Sequence, residues 1–106
     1  MIFDLRIYTF RNGSKMNAWL KVYEEYAFSL QQRHLGNPVL FSTTEVGPLN
    51  QVIHIWSYPG QGERETRRAA MVGDPAWPEF LKRSAELDAI HAQENRILKS
   101  TSFSPL

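Results

Sequence analysis

The opening of the chain alternates between apolar and polar positions, which is the period of a half-buried β-strand. Residues 2–10 divide into two sets on opposite faces, Phe3, Leu5 and Ile7 against Asp4, Arg6 and Tyr8. Residues 51–58 alternate in the same way, with Ile53 and Ile55 against His54, Trp56 and Tyr58. Residues 39–46, which follow Asn37-Pro38, are rich in β-branched and aromatic types. They predict a strand that forms a hairpin with 51–58.

Between the strands the apolar period changes to three and four residues, which is typical of a helix packed along one side. The first stripe runs from Lys15 to Leu35 and consists of Met16, Trp19, Leu20, Tyr23, Ala27 and Leu30. Ser14 is its predicted N-cap and Gly36 its predicted end. A second helical region is predicted from Glu63 to Val72 and restarts after Asp74-Pro75 with Trp77, Phe80, Leu81, Ser84 and Leu87. Residues 96–103 predict the last strand.

This order of elements predicts an α+β, ferredoxin-like β-α-β-β-α-β fold, in which helices cover one face of a four-stranded antiparallel sheet. We expect the open face to carry Tyr8, Trp56 and Tyr58, an aromatic patch too large for a lone subunit. A second copy packed on that face would bury it. The prediction is therefore a homodimer that forms a dimeric α/β barrel.

The composition changes this picture mainly by exclusion. A chain of 106 residues suits a single domain, 1–106, and 42% hydrophobic residues with a net charge of +1 predict neither disorder nor a nucleic-acid partner. The absence of cysteine excludes disulfides and thiolate metal sites, and it fits a reducing compartment such as the cytoplasm. No signal peptide, membrane span or membrane partner is predicted.

Candidate chemistry lies in the polar set that alternation places on one face. Arg6, Tyr8 and His54 are candidate catalytic residues, with His54 as general acid or base, and Trp56, Tyr58 and Arg96 are candidate ligand-binding residues. The face of Arg96 is left open, because alternation does not settle which side of the last strand is turned inward. The same residues could instead be packing with satisfied polar tips.

Other site types find little support. His34, His54 and His91 lack paired ligand spacing, so no metal is predicted, and no nucleotide-binding glycine pattern points to a cofactor. Arg64, Arg67, Arg68 and Asp74 resemble an anion site at a helix start. We interpret them as a solvated helix face, with a Glu63–Arg67 ion pair and Asp74 as a cap. Trp77 and Phe80 are expected to be core anchors.

Several segments resemble the NIPSNAP family. They are His54-Ile55-Trp56-Ser57-Tyr58, Glu63-Arg64, Arg67-Arg68, Asp74-Pro75-Ala76-Trp77 with Phe80, and the two ends Leu5-Arg6-Ile7-Tyr8 and Asn95-Arg96-Ile97-Leu98 with Phe103-Ser104-Pro105. The resemblance spans nearly the whole chain. It implies the dimeric α/β barrel shared with small antibiotic-biosynthesis monooxygenases, and a bacterial-type, stand-alone member without mitochondrial roles. It implies no established reaction.

Two functions stay open. In the first, the dimer binds or converts a small aromatic or anionic metabolite between the sheets, in a monooxygenase-like or isomerase-like reaction without a cofactor. In the second, it is a non-catalytic interaction module whose aromatic face is only the subunit interface. A mixture of Arg, His and Tyr on one face favours the first, because a face used only for packing would be aliphatic.

Overall fold

The computed structural model describes residues 1–106. Along the chain the elements are β1 (Ile2–Phe10), α1 (Gly13–Tyr23), a π-helical segment (Glu24–Phe28), α2 (Ser29–Leu35), β2 (Leu40–Thr43), β3 (Gln51–Tyr58), α3 (Gln61–Val72), α4 (Trp77–Leu87) and β4 (Ile90–Lys99). The four strands form one antiparallel sheet in the order β2-β3-β1-β4. This confirms the predicted α+β, ferredoxin-like arrangement. None of the helices has the length and apolar character needed to cross a membrane.

Strand β1 is one of the two central strands of the sheet and lies between β3 and β4. Arg6 is directly opposite His54 on β3 and Asn95 on β4. Since residues directly opposite each other in an antiparallel pair share a face, Arg6 and His54 lie on the same side of the sheet. The alternation of β1 and β3 therefore brings the two polar sets together, as predicted from the sequence.

The helices cover this polar and aromatic face, and not the aliphatic one. Asp4, His54, Trp56 and Tyr58 are each no more than 2% exposed. Trp56 and Tyr58 pack in one cluster with Leu30, Leu35 and Met71 of the helices. The prediction that Tyr8, Trp56 and Tyr58 lie on the open face is thus wrong. Alternation separates two faces but does not say which one the helices cross.

The open face carries the aliphatic set instead. Its members, paired across the strands, are Leu5, Ile7, Leu40, Ile53, Ile55 and Leu98, together with the one aromatic residue Phe3. The side chains from β1 and β3 are half-buried, while Leu40 and Leu98 are 48% and 43% exposed. A cavity between two sheets would therefore be lined mainly by apolar residues, together with Glu94 and Arg96 of β4, so the candidate site residues of β1 and β3 cannot belong to it.

The first helical region begins and ends close to its predicted limits, but its cap differs. Asn12 has the extended backbone of an N-cap, and its side-chain oxygen accepts a hydrogen bond from the Lys15 amide at 2.8 Å. Ser14, the predicted cap, already lies inside the first turn. Helical structure then continues through α1, the π-helical segment and α2 to Leu35, and Gly36 follows with a φ of 85° that suits glycine.

The strand boundaries differ most at the end of the chain. β3 has its predicted limits, and β2 is shorter than predicted. β4 begins at Ile90 and ends at Lys99, whereas the sequence predicted 96–103. Its first half is polar and lacks alternation, so pairing with β1 and not local pattern makes it a strand. The predicted cap Asp74 lies in the turn before α4, where its Oδ1 accepts from the Ala76 amide at 2.9 Å, whereas the N-cap position of α4 is Ala76, without a side-chain cap.

Candidate functional site

A cavity of about 210 Å³ lies between the covered face of the sheet and the helices. Strands β1, β3 and β4 contribute Arg6, Tyr8, His54, Trp56, Ile90 and Gln93 to its wall. The helices contribute Trp19, Gln31, Arg68, Trp77, Phe80 and Ser84. Four of the six predicted site residues thus meet in one place, within a single subunit. Tyr58 and Arg96 do not line this cavity.

Asp4 organises the charged end of the cavity. Its two carboxylate oxygens accept hydrogen bonds from Nε and Nη2 of Arg6, each at 3.2 Å, and from Nε of Arg64 on α3 at 3.0 Å. Burial by itself raises the pKa of Asp4, but the charges and hydrogen bonds of the two arginines outweigh it and hold that pKa below its usual value. Asp4 is therefore an anion that fixes the position of Arg6.

The second predicted catalytic residue, His54, is held by its neighbour on the same strand. The indole Nε1 of Trp56 donates a hydrogen bond to Nδ1 of His54 at 2.8 Å. Burial lowers the pKa of His54 to about 3, and the charge of Arg6 acts in the same direction. The imidazole is therefore neutral near pH 7, with its basic nitrogen already occupied. This geometry favours His54 as a hydrogen-bond donor over a role as general acid or base.

Aromatic rings form most of the remaining wall. The ring of Tyr8 packs edge-on against His54 and Trp19, with centroid distances of 4.9 and 5.6 Å. Phe41 of β2, which does not itself line the cavity, packs against His54 with a centroid distance of 4.6 Å. Trp77 and Phe80, predicted as core anchors, pack 5.2 Å apart and line the cavity as well. The cavity thus offers flat apolar surfaces beside a charged end.

Tyr58 lies next to this site but belongs to the core. Its side chain is fully buried in the cluster with Leu30 and Met71, and its hydroxyl has no hydrogen-bond partner. Burial raises the pKa of Tyr58, although the nearby charge of Arg68 acts in the opposite direction. The guanidinium of Arg67 stacks over the ring at 5.9 Å. Because Tyr58 does not line the cavity, a direct ligand contact is not favoured for it.

Arg96 lies on the opposite side of the sheet from the cavity. It is paired with Leu5 of the open face, and its side chain is 62% exposed. Its Nε and Nη2 donate to Glu94 at 2.9 and 2.7 Å. The question that alternation left open is settled by the register with β1, which separates Arg96 from the other five candidate residues.

The sequence analysis did not assign Asp4, Arg64 and Arg68 to the site. It treated the arginines of α3 as a solvated face with a Glu63–Arg67 ion pair. That pair is present at 2.9 Å, but Arg67 is half-buried and its guanidinium lies over the ring of Tyr58. Arg64 and Arg68 are half-buried on the side of α3 that faces the sheet. The sequence feature that could have revealed this is the spacing of four residues between Arg64 and Arg68, with Met71 three residues further along. Positions at these spacings share one face of a helix.

Comparisons with known proteins agree with this architecture. The NIPSNAP family model matches residues 3–105. The chain is 29% identical over 109 residues to a NipSnap protein of Caenorhabditis elegans, across 99% of this chain and 19% of that protein. It is 28% identical over 93 residues to a NipSnap homolog of Dictyostelium discoideum, across 87% of this chain and 40% of that protein. The chain therefore spans less than half the length of either relative.

Solved structures extend the likeness to the fold. A NIPSNAP family protein of Agrobacterium tumefaciens is 42% identical, with a TM-score of 0.88 over 99% of this chain and 97% of that chain. A protein of Nitrosomonas europaea that is named as an antibiotic biosynthesis monooxygenase has a TM-score of 0.65 at 11% identity, over 94% of this chain and 98% of that chain, which shows a shared fold only. Because the family model covers nearly the whole chain, and because solved members share its fold, this chain belongs to the NIPSNAP family.

Proposed function

We propose that the chain is a small-molecule-binding domain, which takes an aromatic or anionic metabolite into the cavity between the sheet and the helices. The observation that carries the proposal is the meeting of Arg6, Tyr8, His54 and Trp56 in one cavity wall. Buried polar groups are normally satisfied within the protein. Nε2 of His54 is buried and has no partner, which supports a ligand in preference to simple packing.

The size of the cavity limits the ligand. A cavity of about 150 Å³ in another protein holds benzene, whereas drug-sized ligands occupy about 300 Å³ or more. At about 210 Å³ this cavity suits one aromatic ring with a small substituent. Trp19 and Trp77 supply flat surfaces on which such a ring can stack.

The polar groups also suit a conversion of the ligand. A monooxygenase-like or isomerase-like reaction without a cofactor requires a substrate anion to be stabilised away from water. Arg6 and the neutral imidazole of His54 are donors for such an anion. Tyr8 is the remaining cavity residue of the predicted catalytic set, and we assign it the proton-transfer role that the geometry disfavours for His54.

We further propose that two copies, each with residues 1–106 as one domain, associate through their open faces in the cytoplasm. The half-buried aliphatic set centred on Ile7 and Ile53 supports this, since a lone subunit would leave it in contact with water. In this assembly the aliphatic face is the interface and each subunit keeps its own cavity. A dimeric barrel with the ligand between the sheets is not part of the proposal.

Intrinsic fluorescence tests ligand entry directly, because all three tryptophans of the chain line the cavity. One-ring probes such as phenol, benzoate and benzamide are titrated into the full chain, and we expect saturable quenching. Ser84→Phe fills the cavity and should abolish the quenching. Ser14→Phe makes the same change on an exposed helix position and should leave it intact.

Since Ser84 also accepts a hydrogen bond from Trp19, thermal unfolding of Ser84→Phe is recorded to show that the variant is folded. If no one-ring probe quenches the wild-type chain, small-molecule binding is refuted. The alternative would then be preferred, namely a non-catalytic dimeric interaction module in which the open face is only the subunit interface.

A further inference from the structure

Most of the hydrogen-bond acceptors around the cavity are already used within the protein; the exposed side chain of Gln93, which also lines the cavity, is an exception. Both oxygens of Asp4 accept from arginines. Nδ1 of His54 accepts from Trp56, Oε1 of Gln31 accepts from the Tyr23 hydroxyl, and Oγ of Ser84 accepts from the Trp19 indole. A ligand that needed to donate hydrogen bonds would therefore find few free acceptors.

The hydrogen-bond donors around the cavity, in contrast, are not all paired within the protein. Arg68 is half-buried, lines the cavity and forms no ion pair, since Asp4 is bound by Arg6 and Arg64 instead. Three guanidinium groups are thus grouped with one carboxylate, which leaves a net charge of +2 at this end of the cavity. Burial lowers the pKa of Arg68 and the charge of Arg6 adds to this effect, as expected of a cation without a counter-ion.

His54 adds a neutral donor, and its tautomer follows from its partner. An indole N–H can only donate, so Nδ1 of His54 must be the unprotonated nitrogen. A neutral imidazole then carries its single proton on Nε2. That nitrogen is buried and unpartnered. Trp56 is therefore a positioning residue, which fixes the tautomer whose Nε2–H has no partner within the protein.

We propose that the ligand of this cavity is a one-ring aromatic anion, a carboxylate or enolate, whose charged oxygen is bound by Arg68 and by the Nε2–H of His54. This rests on the proposed small-molecule function and narrows it to one charge class. Arg6, already held by Asp4, contributes charge at the same end. The aromatic walls receive the ring.

The test compares two probes of nearly equal size, benzoate and benzamide, on the full chain. Benzoate is expected to bind at least about tenfold more tightly, which is the effect of one charge-assisted hydrogen bond. Arg68→Gln should remove this preference without weakening benzamide, and Arg68→Lys should restore part of it. Arg67→Gln, which removes the same charge from the adjacent position on α3, should leave the preference unchanged.

Nitrogen-15 NMR of the histidine side chains reports the second donor. His54 should show a protonated Nε2 and an unprotonated Nδ1, and benzoate should shift the Nε2 signal more than benzamide does. Equal affinity for the two probes, an unchanged preference in Arg68→Gln, or a protonated Nδ1 would each overturn this inference and leave small-molecule binding intact. If neither probe binds, the proposed function fails and the inference fails with it.

Discussion

The covered face of the sheet holds an ion pair between Asp4 and Arg6, and the open face holds one of the same spacing between Glu94 and Arg96. In each case an acidic residue pairs with an arginine two positions later on one strand. The Asp4 side chain is 0% exposed, whereas that of Glu94 is 51% exposed. The same kind of ion pair is therefore in contact with water on one side of the sheet and is shielded by helices on the other.

The two faces also divide their apolar residues in an unusual way. The face under the helices bears charges, a histidine and large aromatic rings, while the face without cover bears Phe3, Leu5 and Ile53. A polar face is expensive to bury unless its groups are paired or used by a ligand. Most of the buried polar groups of the covered face are paired within the chain, whereas the open face leaves apolar side chains partly in contact with water.

The largest expected effect comes from removing the buried carboxylate. Asp4→Asn leaves Arg6 and Arg64, which are 15% and 18% exposed, without their shared anion. The free energy of unfolding should fall by about 3–5 kcal/mol, the usual consequence of breaking a buried pair. Denaturant unfolding measures it. Glu63→Gln, which removes a carboxylate from an exposed pair on α3, should cost no more than about 0.5 kcal/mol; similar losses in both variants would contradict the contrast.

The open face is tested by placing a charge within its aliphatic set. Ile53→Asp should raise the dissociation constant of the dimer at least about 100-fold, or about 2.8 kcal/mol, because a carboxylate would be buried without a partner. Sedimentation velocity over a concentration series measures it. Ala85→Asp, at an exposed position of α4, is the matched control. A variant that sediments like the wild type would show that this face is not the interface.

These contrasts explain which parts of the fold the sequence could predict. β1 and β3 were assigned correctly because period-two alternation is local, and their pairing followed from the order of elements. The side that the helices cover was assigned wrongly. That choice depends on how α1 leaves β1 in space, and on a cavity whose polar lining removes the usual hydrophobic signal.

The grouping of the residues that line the cavity could be predicted in part, for a similar reason. Arg6, Tyr8, His54 and Trp56 meet because cross-strand neighbours share a face, which alternation reveals. Arg68 was missed because burial of a helical arginine depends on the helix's rotation toward the sheet. β4 was placed too late because its polar first half becomes a strand only through contact with β1.

The covered face should also make stability depend on pH. The pKa of His54 lies near 3 in the folded chain and near 6.5 when unfolded, so the unfolded chain binds the additional proton between these values. Stability from this group is complete above pH 6.5 and is lost as the pH falls, by about 2 kcal/mol between pH 7 and pH 5. Arg6, Asp4 and Arg68 are the charged groups that act on His54, and all remain charged in this interval.

Denaturant unfolding at the two pH values measures this loss. His54→Gln should remove most of the difference, because an amide oxygen can accept from Trp56 without titrating. His91→Gln, on exposed β4, should retain it. If His54→Gln keeps the full pH dependence, the buried imidazole is not its source.

The smallest effect is expected at the exposed pair of Glu94 and Arg96. It tests whether a second copy covers this part of β4. In a monomeric Ile53→Asp background, Glu94→Gln should change the free energy of unfolding by no more than about 0.5 kcal/mol, since water competes for both groups. In the dimeric chain, Glu94→Gln should lower the free energy of unfolding by no more than this amount if β4 remains in contact with water. A loss of several kcal/mol in the dimer alone would mean that the partner shields Arg96 from water. The open-face pair would then behave like the covered pair of Asp4 and Arg6, because burial and not spacing sets the strength of both.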